Sequence, residues 1–166
     1  MKYTIKTLVL LFMISGVYAQ TPGQPPAQTI PDFKFFRFND SPFINKDLPK
    51  NKMIFFMFFD SDCDHCQHAI KNIGQHFQSF KKIPIFLISI DDQVKINHFM
   101  DTYGPQLKGQ KNVTLLRDKL NQFIVKFNPR RYPSMFLYSP DKKLIDYEDN
   151  AESVFRLVNA INKAGK

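Results

Sequence analysis

The spacing of apolar positions changes several times along this chain, and each change marks an element. Residues 53–59 (MIFFMFF) and 83–90 (IPIFLISI) are continuous apolar runs of strand length, the pattern of strands buried on both faces. Between them Cys66, Ala69, Ile70, Ile73, Phe77 and Phe80 fall at helical spacing, which predicts one amphipathic helix reaching Phe80. Ile96, Phe99, Met100 and Tyr103 give a second helical face, and residues 113–118 (VTLLRD) a third strand. Leu120, Phe123, Ile124 and Phe127 predict a short helix with these four residues on its apolar side. Phe33, Phe35, Phe36 and Phe38 suggest a strand ahead of all of these. Residues 134–149 (SMFLYSPDKKLIDYED) read as a hairpin turning at Pro140-Asp141-Lys142. Asp149 and Glu152 have capping-box spacing ahead of Val154, Leu157, Val158 and Ile161 on a closing helix. Alternating strands and helices followed by a hairpin predict an α/β sandwich around a mixed sheet.

The length of 166 residues and the 18 Phe suit one domain with an ample core. The N-terminus adds an address. Lys2 and Lys6 precede an apolar stretch at residues 8–14, and Val17-Tyr18-Ala19 places small residues before a cut. Residues 1–19 therefore read as a secretory signal peptide, with an uncleaved anchor as the alternative. Residues 20–31 (QTPGQPPAQTIP) are rich in proline and read as an extended linker, leaving 32–166 as the folded domain. The protein is expected to be exported, periplasmic or secreted, where thiols tend to oxidise. The net charge of +8 is scattered along the chain, with no alternation of basic and aromatic residues. That argues against nucleic acid and for a basic surface that keeps the protein monomeric, with no membrane contact beyond the export signal.

The candidate chemistry lies in FFDSDCDHCQHAIKNIG, residues 58–74, which holds both cysteines. Cys63 falls where a buried strand ends and a helix begins, so free N–H groups and the positive helix end favour a thiolate there. A thiolate is the species that attacks disulfides, which makes Cys63 the nucleophile and Cys66, in the first turn, the resolving thiol. Two other readings stay open. Cys63, His65, Cys66 and His68 could bind Cu or Zn, although a closed zinc site generally recruits ligands from a second segment. A purely structural disulfide would close a very short loop and constrain the unfolded chain little. No cofactor is called for.

The unit Cys63-Asp64-His65-Cys66 after a strand, with FNPRRYPSMFLYSPDKKLI (residues 127–145) downstream, resembles the thioredoxin superfamily, and within it the exported TlpA/ResA-type proteins. The resemblance spans Pro31 to Lys163. It implies a three-layer thioredoxin-like sandwich with a central mixed β-sheet flanked by helices. It also implies a cis bond between Tyr132 and Pro133, facing the cysteines and offering backbone groups to a bound peptide. The implied activity is disulfide exchange with protein thiol and disulfide substrates, sustained by an upstream redox donor. Three positions depart from the pattern. Asp62 stands where thioredoxins have Trp, Met57 where they bury an Asp, and Ala69 where the ResA type has Glu. The usual proton-relay carboxylate is thus missing from both familiar places. A protonated His65 would stabilise the Cys63 thiolate, whereas Asp60, Asp62 and Asp64 oppose it, with Arg130 and Arg131 offsetting them. Each exposed charge at about 4 Å contributes on the order of 1 kcal/mol, so redox tuning by Asp62, Asp64 and His65 nearly balances. The reading leans toward a reductase or isomerase over an oxidase, with a periplasmic metal-binding protein or a redox-inactive interaction module as alternatives.

Overall fold

The computed structural model describes residues 24–164, so the expected signal peptide lies outside the described residues. The strands are β1 (Lys34–Phe36), β2 (Pro42–Ile44), β3 (Ile54–Phe58), β4 (Ile85–Ser89), β5 (Val113–Arg117), β6 (Ser134–Tyr138) and β7 (Leu144–Glu148). They form one seven-stranded sheet in the order β2-β1-β5-β4-β3-β6-β7. The central strands β3, β4 and β5 are parallel, while β6 runs antiparallel to β3 and β7 antiparallel to β6. The helices are α1 (Asp64–Gln75), α2 (Phe77–Phe80), α3 (Gln93–Tyr103), α4 (Gln122–Phe127) and α5 (Val154–Ala164).

The period-two geometry of a strand sorts the core into two layers. Phe55, Met57 and Phe59 join Cys66, Ala69 and Ile70 of α1, Phe99 of α3 and Leu157 of α5 in one buried cluster. Ile54, Phe56 and Phe58 point the other way, into a second cluster with Phe35, Phe123, Phe127 and Phe136. That second layer is a stack of aromatic rings: Phe123 and Phe127 lie parallel at 4.1 Å, and Phe58 stacks on Phe123 at 4.5 Å. Both clusters cover β3 and β4 completely, which explains their unbroken apolar runs. The hairpin turns where expected, with Lys142 in the left-handed region and its N–H donating to Ser139 O at 2.9 Å.

Several expectations need correction. The helix predicted to reach Phe80 breaks at His76, whose φ of −99° and ψ of 17° separate α1 from α2. Leu120 and Ile124 do not face the core: they are 52% and 43% exposed. Asn121, in the left-handed region, puts Leu120 outside the helix, and only the i, i+4 pair Phe123 and Phe127 meets the sheet. Asp149 is not the cap ahead of α5. Asn150 instead caps the single 3-10 turn Ala151–Ser153 that leads into α5, accepting the Glu152 N–H at 3.0 Å, while Asp149 pairs with Arg131. The described part of the expected linker, residues 24–31, is strapped to the domain. Ala27 N–H donates to Phe127 O, Leu144 N–H to Gln28 O, and the Tyr138 hydroxyl to Ala27 O.

Candidate active site

β3 delivers the chain to the site and a hydrogen-bonded turn aims it. Phe59 N–H still donates to Ile88 O at 3.0 Å, and then the chain leaves the sheet. The Asp60 carboxylate accepts the Asp62 N–H at 2.8 Å, and Asp60 O accepts the Cys63 N–H at 3.3 Å. The Ser61 N–H is held by Asp91 Oδ2 at 2.9 Å, which also accepts the Ser89 hydroxyl at 3.0 Å. The turn is therefore tied to the end of the neighbouring strand. Cys63 has extended backbone and sits at the N-cap of α1, its carbonyl accepting the N–H groups of Cys66 at 3.0 Å and Gln67 at 3.1 Å. No side chain caps this helix, so Asp60 and Asp62 shape the turn without capping α1.

The two thiols are free and differ in access: Cys63 is half-buried, Cys66 fully buried. Burial pushes the Cys66 thiol far above the ordinary thiol range, and its hydrogen bond with Cys63 and the charges of Cys63 and Asp60 add to that, against a lowering backbone hydrogen bond from Asp60. Burial also pushes the Tyr132 phenol up to about 12, followed by the charges of Asp60 and Cys66. Burial would raise the Asp91 carboxyl, but the hydrogen bonds it accepts outweigh this and hold it below the usual carboxylate range. Asp91 is a site residue that sequence reasoning missed. Its place just past the end of a central parallel strand was the available signal.

The surrounding charges are more committed than their count suggests. Asp62 Oδ2 accepts the Lys95 ammonium at 2.6 Å, and Arg131 pairs with Asp149 at 3.0 Å. The Arg130 guanidinium lies over the Tyr147 ring, 5.5 Å from its centroid. Asp64 and His65 are exposed. His65, Arg131, Tyr132, Asp149 and Asn150 line a small cavity of about 120 Å³.

A second segment closes over this end. The Tyr132–Pro133 bond is cis, as the resemblance implied. The Tyr132 ring packs on Phe58 at 4.9 Å. The loop is fixed by Ser134 Oγ, which donates to Arg131 O at 2.6 Å and meets the Tyr147 hydroxyl at 2.9 Å, and by Arg130 N–H, which donates to that same hydroxyl oxygen. Tyr147, from β7, is a second supporting residue the sequence did not single out. The structure thus brings Cys63, Cys66 and Tyr132 together, with exposed His65 at the edge of the cavity beside Tyr132, and leaves Asp64 and His68 facing solvent. Among the described residues no three His, Cys, Asp or Glu side chains gather as a metal site.

The sequence profile of the AhpC/TSA family matches residues 26–147. The chain belongs to the AhpC/TSA family. No sequence among the curated proteins matches it. Solved structures with the same fold include a secreted Mycobacterium tuberculosis disulfide oxidoreductase homologous to Escherichia coli DsbE, at 19% identity and TM-score 0.63 over 79% of this chain and 95% of that one. The peroxidoxin BcpB of the same organism superposes with a TM-score of 0.66 at 14% identity, over 83% of this chain and 96% of that one. Copper-bound ScoI of Arabidopsis thaliana does so with a TM-score of 0.60 at 14% identity, over 82% and 99%. At such identities these likenesses establish a thioredoxin-like α/β fold. A fold shared by an oxidoreductase, a peroxidoxin and a copper-bound protein leaves the chemistry of an AhpC/TSA member to its own site.

Proposed function

We propose that this AhpC/TSA protein is an exported thiol–disulfide oxidoreductase acting on protein substrates, a reductase or isomerase in preference to an oxidase. The observation that carries the reading is an accessible thiol and a buried one, three residues apart at a strand-to-helix junction, beside the Tyr132–Pro133 loop. In the reaction the Cys63 thiolate attacks one sulfur of a substrate disulfide. A Cys63–substrate mixed disulfide forms, and the other substrate sulfur leaves as a thiolate that takes up a proton. Cys66 then loses its proton and attacks the Cys63 sulfur, which forms the Cys63–Cys66 disulfide and frees the second substrate thiol. The substrate gains two electrons and the protein loses two, so an upstream dithiol donor must restore Cys63 and Cys66. Tyr132 and Pro133 line the approach and hold the substrate peptide.

The preference for reduction rests on the burial of Cys66 more than on the charges around the cysteines. A poorly stabilised thiolate makes the dithiol a stronger reductant. Lys95 neutralises Asp62 and Asp149 equally neutralises Arg131, so these pairs offset each other, and burial, the largest influence on Cys66, disfavours its thiolate. The N-terminal signal pattern supports export. Among the described residues no helix is long and apolar enough to cross a membrane.

Trapping tests the reading. Cys66→Ser protein should accumulate mixed disulfides with partner proteins through Cys63, dissolved by dithiothreitol and absent from Cys63→Ser. Absence of trapped species, together with failure of the wild-type protein to reduce insulin, would overturn it in favour of an inactive interaction module.

A further inference from the structure

At the other end of the parallel strands from Cys63 the fold assembles a second site. β3, β4 and β5 run together toward the cysteines, so the turns that precede them lie a strand's length away, about 17 Å for five residues. Those turns, with the end of β1 and part of β2, border an open cleft of about 730 Å³, within the size range of small-molecule sites. Arg37, Lys52, Lys81, Lys82 and Lys111 all line it. Along the chain these cations are scattered, and only the sheet topology gathers them. The one carboxylate in the lining, Asp47, is committed to the Ile44 N–H at 2.8 Å. Six ion pairs join described residues elsewhere, and none includes any of these five cations.

Arg37 stands apart from the four lysines. Its guanidinium lies on the Phe43 ring, 4.7 Å from the centroid, and its Nη1 is buried with no hydrogen-bond partner among the described residues. A buried guanidinium N–H without an acceptor is unfavourable, and the planar fork is shaped for the paired oxygens of a phosphate or carboxylate. Five cations around one committed carboxylate suit a compact group with more than one negative charge, which favours phosphate. Pro49, Met53 and Pro84, partly exposed in the lining, offer apolar surface for whatever carries it, over the buried rings of Phe43 and Phe86.

We propose that this cleft binds an organic phosphate, the phosphoryl oxygens on Arg37 and the lysines and the apolar remainder against Pro49, Met53 and Pro84. Such a group can belong to a soluble phosphate ester or to a phospholipid headgroup, and two probes separate these sources. Full-length protein is titrated calorimetrically with adenosine diphosphate, and cosedimented with phosphatidylglycerol vesicles against phosphatidylcholine vesicles, both at physiological ionic strength. Saturable binding of the nucleotide supports a soluble ester, and selective sedimentation with phosphatidylglycerol supports a headgroup. In either case Arg37→Gln and the double variant Lys81→Gln/Lys82→Gln should weaken binding by roughly tenfold or more. Lys71→Gln/Lys126→Gln, which removes the same charge elsewhere, should leave it unchanged. Lys81 and Lys82 are exposed, so their variant remains informative even if Arg37→Gln folds poorly. No saturable binding of either probe, or equal weakening by the control pair, overturns the proposal. Insulin reduction should be the same in all these variants, so the outcome is independent of the assignment at Cys63.

Discussion

Burial sets the two sulfurs apart. Cys63 is half-buried, whereas Cys66 lies in the buried cluster that also holds Phe59 and residues of α3, and burial pushes its thiol far above the ordinary thiol range. The step that needs a Cys66 thiolate, resolution of the mixed disulfide, should therefore depend steeply on pH. Below the titration point of a thiol the thiolate fraction rises about tenfold per pH unit. Burial, the largest cause of the upward shift, persists after Cys63 is tied up in the mixed disulfide. Single-turnover release of a peptide thiol from a preformed Cys63 mixed disulfide should thus accelerate close to tenfold per unit between about pH 7 and pH 9. A flat profile would mean that a local base already takes the Cys66 proton. The place of the two cysteines at the start of α1 was legible in the sequence because their spacing and their strand-to-helix position are local properties. The roles of Asp62 and Arg131 were not, because Lys95 lies 33 positions from Asp62 and Asp149 lies 18 from Arg131. Pairing across such gaps is decided by the fold, so counting charges near the cysteines overstated how many remain free to act on them.

α4 shows how one buried carboxylate holds an element that borders the site. This helix has six residues, too few to persist on propensity alone. Its first N–H groups are satisfied from outside: Asp118, 1% exposed, accepts from Gln122 at 2.9 Å and from Phe123 at 2.7 Å. Asp118→Ala should cost about 2 kcal/mol, at the upper end of capping effects because both bonds are shielded from water. Asp118→Asn should recover part of the loss through its one acceptor oxygen. Urea unfolding at neutral pH measures both, and an Asp118→Ala protein as stable as wild type would show that the aromatic stack alone sets α4. The long elements were readable in advance since β3, β4, α1 and α3 carry unbroken or strictly periodic apolar patterns. β2 was not, being three residues long and beginning with Pro42. The break at His76 was hidden as well, because Phe77 and Phe80 continue the apolar stripe of α1 after the backbone has left its path.

Across the whole molecule, the N-terminal strap decides where the domain begins. Composition alone makes residues 20–31 a spacer, since prolines and polar residues offer little to a core. The fold nevertheless uses their backbone. Ala27 N–H reaches Phe127 O at the end of α4, Gln28 O accepts from Leu144 at the start of β7, and Ile30 N–H donates to Lys142 O in the hairpin turn. Ala27 O also satisfies the buried Tyr138 hydroxyl at 3.0 Å, and Asn128 donates to Gln24 O and Pro25 O. Pro26 is buried. These contacts join α4, the hairpin and the second aromatic layer, so the strap ties together the half of the molecule that carries the Tyr132–Pro133 loop. Each such hydrogen bond contributes about 1 kcal/mol net, and losing the partner of a buried hydroxyl costs more. A chain beginning at Asp32 should accordingly be roughly 3–5 kcal/mol less stable than one beginning at Gln24. Chemical denaturation of the two truncated proteins side by side measures the difference. Equal stability would return residues 24–31 to the role of a spacer, whereas the expected loss, accompanied by slower insulin reduction, would make them part of the catalytic domain.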